Sequence, residues 1–287
     1  MADGVVIAIA GAKGGVGKTT TALNLGAALA NAGERVAVVE LDLAMANVVD
    51  FLKIDPQTTI HDVLSGTATV SQAVSRVPPG VDVIPADTSL DDFNAVNVAT
   101  IAPVIRALRP KYDFVLIDTA AGVSPETIYP LRLADEVIVV STPRVAAVRD
   151  TKKTIELANR VNGTVAGVIF NRSGTGNAPP PDRLASFLDT ELLGAVPDDP
   201  AVADAQDRSE PIVIYRPDSP AAAAFSSIAD SLIFAHDDGG DVMGTGGVGD
   251  FTRAEQIAKA AEAADPGDEA LKTSDEPDDG FRFVDSG

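Results

Sequence analysis

The chain has 287 residues and no cysteine. This absence excludes disulfides, thiolate-ligated zinc sites, iron–sulfur clusters and cysteine nucleophiles. Tryptophan is absent too, and aromatic residues make up only 5% of the chain. Apolar residues nevertheless reach 45%, which is enough for a substantial hydrophobic core. The length fits one large or two small domains.

Basic side chains are scarce, with 22 Lys and Arg against 42 Asp and Glu, so the formal net charge is −20. Such a charge repels nucleic acid and anionic lipid unless a local basic patch overrides it. An acidic surface keeps a protein in solution. It is also typical of adaptation to molar salt, where the screening length falls to about 3 Å and acidic self-repulsion costs little. We favour adaptation to high salt.

Long apolar runs are absent as well. No run approaches the roughly 18 residues that a transmembrane helix needs. Residues 1–4 lack the basic start of a secretory signal, and the apolar residues that follow lead directly into a motif. These features predict a cytoplasmic protein, recruited to a pole or another surface through a partner if it is recruited at all.

Short β-branched runs alternate with alanine-rich or amphipathic stretches over residues 1–235. The runs are apolar on both faces, as in a parallel sheet covered by helices on both sides. This alternation predicts a doubly wound α/β domain with a mostly parallel sheet of about seven to eight strands. The predicted strands are Val5–Ala10, Val36–Glu40, Val81–Ile84, Phe114–Ile117, Val137–Val140, Val165–Phe170 and Leu192–Val196, and a helix is predicted at Lys18–Asn31.

The pattern ends near Ala235. Residues 236–250 contain six glycines and are predicted to form a flexible linker. Residues 251–287 are acidic and predicted to be largely disordered, with room for one short helix at 251–264. From residue 236 onward there are 14 acids and 4 bases, so half of the net charge lies in the last 52 residues.

The first predicted strand runs directly into a glycine-rich turn, Gly11–Gly17, and then a helix. A glycine-rich turn indicates a phosphate loop when it lies between a strand and the start of a helix, as it does here. The glycines let successive backbone N–H groups curl around a polyphosphate, and the helix start adds its own N–H groups. Lys18 is placed for the β- and γ-phosphates, and the Thr19 hydroxyl is the expected Mg²⁺ ligand. A second lysine, Lys13, adds more charge than a single nucleotide site requires.

The loop sequence resembles the deviant Walker A motif of the ParA/MinD family of P-loop ATPases, although Ala12 replaces the first glycine of a strict phosphate loop. The resemblance covers residues 4–235 and implies an ATPase that uses ATP and Mg²⁺ and forms a homodimer on ATP. In that family the early lysine, here Lys13, reaches the phosphates of the partner subunit. The implied nucleotide-binding residues are Lys13, Gly14, Gly15, Val16, Gly17, Lys18, Thr19 and Thr20, of which Lys13 and Lys18 are also implied to be catalytic.

Mg²⁺–ATP chemistry needs carboxylates near the metal and the attacking water. Four apolar residues, Phe114–Ile117, precede Asp118 in a Walker B arrangement, which places Asp118 near the metal. By resemblance, Asp42 is the switch I carboxylate that positions the water, and we assign it to the metal site too. Glu40 stands where the family usually has Asp, and Ala120 stands where its switch II usually has Pro.

The resemblance also implies an adenine pocket built from two later segments. Asn171 and Arg172 end a predicted strand, and the Asn171 amide is expected to recognise the base edge. Pro197 and Asp198 follow the last predicted strand and are expected to flank the purine. Without the resemblance, ordinary roles are favoured: a turn residue at a strand end for Asn171 and a simple loop for Pro197.

The missing cysteines remove the iron–sulfur and metal-chaperone branches of the family. The expected function is a MinD-like ATPase switch that dimerises on ATP, positions a cellular structure such as division, motility or chemosensory machinery, and is released by hydrolysis. Its protein partner is not identified by the sequence. A ParA-like DNA-segregation ATPase and a nucleotide-binding scaffold without turnover are the alternatives.

Two further interactions are disfavoured by the charge pattern. The basic cluster of Arg144, Arg149, Lys152 and Lys153 is small and fits a solvated helix face, so we expect no direct DNA binding. The segment 251–264 has no net charge, and its apolar side is mostly alanine. It therefore has little electrostatic or hydrophobic attraction to an anionic membrane. We therefore expect weak or no direct membrane binding.

Overall fold

The first strand continues directly into the glycine-rich loop, and the sheet around it determines where that loop lies. In this computed structural model the described residues are 3–87, 98–122 and 125–237, and they fall within one unit, Met1–Gly240. The strands among them are β1 Val5–Ala10, β2 Val36–Leu41, β3 Ser75–Val77, β4 Val81–Ile84, β5 Phe114–Thr119, β6 Glu136–Ser141, β7 Val165–Ser173 and β8 Leu192–Pro197.

These strands form one sheet in the order β3-β4-β2-β5-β1-β6-β7-β8. Every pairing is parallel except that of β3 with β4, which is antiparallel at the edge. In the registers, Asp118 of β5 lies opposite Ile9 of β1 on one side and Glu40 of β2 on the other. The carboxyl ends of three adjacent strands therefore meet at the loop that follows β1, which is where open α/β sheets bind ligands.

Helices cover both faces of the sheet. They are α1 Lys18–Asn31, α2 Val48–Leu52, α3 Ile60–Ser65, α4 Ile101–Leu108, α5 Pro125–Leu133, α6 Val145–Arg160, α7 Pro181–Phe187, α8 Pro200–Asp207, α9 Ile212–Tyr215 and α10 Pro220–Asp237. On one face, α1, α8, α9 and α10 pack in a cluster that includes Leu25 and Phe225. On the other face, α3 to α7 cover two clusters, around Ile105 and around Phe170. Because side chains alternate along a strand, both faces of each central strand are apolar and buried.

The predicted fold class is confirmed, and each predicted strand is present with ends extended by up to three residues. The α1 bounds match the prediction. The short edge strand β3 was not predicted, because its sequence Ser-Arg-Val has only one apolar residue. It is held by pairing with β4 and by the ion pair of Arg76 with Asp82, at 2.6 Å. The linker 236–250 and the helix at 251–264 lie almost wholly outside the described residues and stay predictions, as does the boundary near 235.

Among the helices of the described residues, none is both long and apolar enough to cross a bilayer.

Candidate active site

The phosphate loop lies between β1 and α1 at the carboxyl edge of the sheet. Gly17 is the N-cap of α1 and adopts a left-handed conformation with φ of 96°. Within the described residues no side chain caps this helix end. The first N–H groups of α1 are therefore left for a ligand or water to satisfy, as an anion site requires.

Strand β7 braces the loop from the side. Asn171 donates from its Nδ2 atom to the Val16 carbonyl and to the Thr21 hydroxyl, both at 3.0 Å. Arg172 donates to the Gly15 carbonyl at 3.1 Å. A Cβ atom at Gly17 would lie 2.5 Å from Asn171 Nδ2, closer than any real contact allows. Glycine is thus required at position 17 both by its backbone conformation and by this neighbour.

Thr19 and Asp118 meet behind the loop. The Thr19 hydroxyl donates to Asp118 Oδ2 at 2.5 Å. Asp118 is fully buried, and this burial raises its pKa to about 7 against the opposing effects of the Thr19 hydrogen bond and the Lys18 charge. Lys18 is itself only 7% exposed. Asp118 Oδ1 is buried and has no hydrogen-bond partner within the described residues.

This donor set suits a cation that is already bound to phosphate. Within residues 3–87, 98–122 and 125–237 no cluster of three or more His, Asp or Glu side chains is arranged to hold a metal ion alone. The site instead offers one hydroxyl, from Thr19, and one carboxylate with an unsatisfied oxygen, from Asp118. Mg²⁺ is held in this manner when phosphate oxygens and waters complete its shell, so the residues fit the ion.

Two further carboxylates singled out in the sequence lie at the end of β2, one inside the strand and one just after it. Asp42 is half-buried and lies just beyond the end of the strand at Leu41. Glu40 is fully buried inside the strand. Its carboxylate accepts hydrogen bonds from the backbone N–H groups of Asn47, Val48 and Ala86. Burial raises the pKa of Glu40, while these three hydrogen bonds oppose the rise.

Lys13 lies apart from the other loop residues. Its side chain is 59% exposed and forms an ion pair with Asp150 of α6 at 2.6 Å. The Lys13 ammonium holds the pKa of Asp150 below its usual value. Lys13 is therefore on the surface of this chain, accessible from outside the loop.

A cavity of about 220 Å³ opens beside the loop, between the ends of β7 and β8 and helix α8. Its lining includes the four residues predicted for the adenine pocket, namely Asn171, Arg172, Pro197 and Asp198. Asn171 uses its amide N–H groups on the phosphate loop, so only its Oδ1 atom is left for a base. That atom is buried and has no hydrogen-bond partner in the part of the chain that the structure describes.

Three residues of this region were missed by the sequence reasoning. Gln206 of α8 donates to the Thr20 hydroxyl at 3.0 Å and lines the cavity. Asn24 donates to the Thr20 carbonyl and accepts from the Ile212 N–H, at 2.8 and 2.6 Å. Phe225 of α10 forms part of the cavity wall. No local pattern marks them. Gln206 and Phe225 reach the site only through the packing of α8 and α10, and Asn24 on α1 is recognisable only by its contact with Ile212 of α9.

A ParA model described as an NUBPL iron-transfer P-loop NTPase matches residues 4–233. An uncharacterised ATP-binding protein of Methanocaldococcus jannaschii is 38% identical over 233 residues, which cover 80% of this chain and 88% of that protein.

Two solved structures resemble the fold throughout the ATPase region. The cell division ATPase MinD of Pyrococcus furiosus is 32% identical with a TM-score of 0.78, covering 81% of this chain and 99% of that one. The septum site-determining protein MinD of Pyrococcus horikoshii, complexed with Mg-ADP, is 30% identical with a TM-score of 0.77, covering 83% and 99%. These matches and the phosphate-loop geometry agree. The chain belongs to the ParA/MinD family of P-loop ATPases.

Proposed function

We propose that this protein is a Mg²⁺-dependent ATPase that acts as a MinD-like positioning switch. The observation that supports this most directly is the contact of Thr19 with Asp118 beside the buried Lys18, behind a glycine loop at the sheet edge. A structural turn needs none of these three groups, and two of them are costly to bury. A phosphate and its cation give all three a partner.

Each residue of the site has a separate role in hydrolysis. Lys18 places its charge on the β- and γ-phosphates, and the N–H groups of the loop and α1 bind the phosphate oxygens. Thr19 would ligate Mg²⁺, and Asp118 would hold its water shell. When bound, the ion neutralises charge that develops on the phosphates. Asp42 accepts a hydrogen bond from the attacking water and orients it towards the γ-phosphate.

The cavity favours adenine. The buried Asn171 Oδ1 atom is an acceptor without a donor among the described residues, and adenine offers a 6-amino donor where guanine offers a carbonyl. Two acceptors facing each other would leave both unsatisfied, which costs about 1–3 kcal/mol. We therefore expect ATP to bind more tightly than GTP, with Arg172, Pro197 and Asp198 flanking the base.

Lys13 is the residue through which ATP would join two copies. In the described chain it pairs with Asp150, but an exposed ion pair of this kind is worth only about 0–1 kcal/mol. The stronger charge of a partner subunit's triphosphate can replace Asp150 at little cost. Homodimerisation on ATP and release on hydrolysis follow, and the dimer then recruits a protein partner.

Two of the four cations in the basic cluster, Lys152 and Lys153, each contact another side chain in the described part of the chain. Lys153 contacts Asp150 at 3.4 Å, and the Lys152 ammonium lies 5.5 Å from the centre of the Phe187 ring. Direct DNA binding is therefore disfavoured in a chain of charge −20. We infer that the protein works in the cytoplasm on a protein partner rather than on DNA.

The test is Mg²⁺-dependent release of phosphate from ATP. Lys18→Ala is expected to lose at least about 100-fold in turnover because the phosphate charge loses its counter-ion. Lys53→Ala is the matched control, since Lys53 is exposed and donates to the Asp207 carbonyl rather than to a residue of the loop. Wild-type protein that binds ATP without hydrolysing it would support the scaffold alternative. Equal rates for both variants would contradict the proposed site.

A further inference from the structure

Glu40 has a hydrogen-bonding arrangement that the catalytic roles above do not use. Its Oε1 atom accepts from the N–H groups of Asn47 and Val48, at 2.7 and 3.0 Å. Its Oε2 atom accepts from the Ala86 N–H at 2.8 Å. The carboxylate is fully buried, so these three donors replace its water. Hydrogen bonds to a charged acceptor are stronger than those between neutral groups.

The three donors come from two different segments. Asn47 and Val48 begin helix α2, whereas Ala86 follows strand β4. The chain leaves β2 after Leu41 and returns to the Glu40 carboxylate at Asn47. The intervening loop, residues 42–46, is thus closed at one end by the strand and at the other by the Glu40 side chain. Asp42 is the first residue of this closed loop.

A carboxylate at position 40 is unfavourable for the stability of the fold, because other carboxyl groups lie close to it. In the strand register Glu40 lies opposite Asp118, which is also fully buried. Asp42 is close enough to raise the pKa of both, so three carboxyl groups repel one another here. An apolar residue would avoid this repulsion, but it would leave three backbone N–H groups without an acceptor. The Glu40 carboxylate is therefore needed to hold the segments that carry these three N–H groups.

We propose that Glu40 is a positioning residue that fixes Asp42 relative to the phosphate loop by anchoring the start of α2 and the segment after β4. The inference rests on the proposed ATPase function. The length of the side chain matters, because the two oxygens must reach donors on both sides of the loop. Aspartate, the residue usual in the family at this position, keeps the charge but is shorter by one methylene, so in this chain its oxygens would withdraw from at least one of the two sides.

Three substitutions separate charge, reach and packing. Glu40→Ala removes all three acceptors. Glu40→Asp keeps the charge and shortens the reach. Glu40→Gln keeps the length and one carbonyl for Asn47 and Val48, but its amide cannot accept from Ala86. Asp82→Asn is the matched control, because Asp82 is a buried carboxylate on neighbouring β4 that pairs with Arg76 away from the loop.

Turnover and ATP KM are measured for each variant, together with amide hydrogen exchange of residues 42–48 without nucleotide. We expect Glu40→Ala and Glu40→Asp to lower kcat about 10- to 100-fold, as displaced catalytic groups do. Their KM should stay within about 3-fold, since Glu40 lies outside the phosphate loop. Glu40→Gln should fall between them and wild type, and exchange at 42–48 should rise in the same order. Asp82→Asn should lose stability while kcat and exchange at 42–48 stay unchanged.

The possible failures are distinct. If wild-type protein does not hydrolyse ATP, the proposed function fails, and the inference fails with it. If wild type hydrolyses ATP but Glu40→Ala and Glu40→Asp keep its kcat, only the positioning role is overturned. A loss of kcat that Asp82→Asn shares would also overturn it, because general destabilisation would then explain the effect.

Discussion

Replacing Gly17 with alanine tests the geometry of the phosphate loop without removing any side chain that touches a nucleotide. Two costs arise at this position. Alanine at φ of 96° pays about 1–2 kcal/mol for the left-handed conformation. Its Cβ atom would also lie 2.5 Å from Asn171 Nδ2, so Asn171 must move by about 1 Å to restore an ordinary contact.

That movement breaks the hydrogen bonds of Asn171 to Val16 and Thr21, each worth about 0.5–1.5 kcal/mol. The free energy of unfolding should therefore fall by about 2–5 kcal/mol in Gly17→Ala. Gly33→Ala is the matched control. Gly33 has a similar φ of 102° just beyond the other end of α1, but apart from its chain neighbours no atom of the described residues lies within 4 Å of its added Cβ. It should lose only the conformational part, about 1–2 kcal/mol.

The assay is urea unfolding without nucleotide, followed by circular dichroism. The difference between the two variants measures the displacement of Asn171, because the backbone cost is common to both. We predict that Gly17→Ala is the less stable by about 1–3 kcal/mol. Equal losses in the two variants would refute the reasoning that Asn171 packs against the loop.

In the fold the pKa of Asp118 is about 7, so ionisation of this carboxyl group above about pH 4 favours the unfolded chain. Asp118→Asn removes this ionisation and should therefore stabilise the protein without nucleotide near pH 8. The variant should melt higher than wild type at pH 8 but not at pH 4, and should lose Mg²⁺-dependent hydrolysis; a lower melting temperature at pH 8 would contradict the burial argument. Glu136 raises the pKa of His236, so the pair stabilises the fold fully below about pH 6.5 and the contribution disappears as pH rises through the folded value. His236→Ala should lose about 0.5–1 kcal/mol by urea unfolding at pH 6 and less at pH 8, whereas a loss that grows with pH would have the wrong sign. Asn171→Ala should reduce the preference for ATP over GTP about 10-fold in equilibrium binding, and an unchanged ratio would remove Asn171 from the base site.

The sequence predicts this fold well where each element is decided locally. Strand β1 is apolar on both faces and α1 ends before a glycine, so their bounds need no knowledge of distant contacts. The edge strand β3 is not decided by its local sequence, because Ser75–Val77 gains its strand conformation from pairing with β4. Its ion pair between Arg76 and Asp82 is likewise invisible to a pattern of apolar residues.

The residues of the site also differ in whether the local sequence is enough to predict them. The phosphate loop was predictable because its chemistry lies in consecutive residues. The resemblance named Asn171 for the base, but only the fold shows that its N–H groups brace the loop and that Oδ1 alone is left. Gln206 enters the site through helix packing, more than 180 residues beyond Thr20. Glu40 was visible as a departure from the family pattern, but its three donors lie on segments that meet only in the folded chain.

We propose that ATP, through Lys13, Lys18 and Asp42, switches this chain between monomer and dimer. The most direct test is the mass of Asp42→Ala with Mg²⁺–ATP, measured by light scattering after gel filtration. Without hydrolysis the dimer should persist at twice the chain mass of 29.5 kDa, and Lys13→Ala in the same background should return it to the monomer. An Asp42→Ala protein that binds ATP and remains monomeric would contradict the claim.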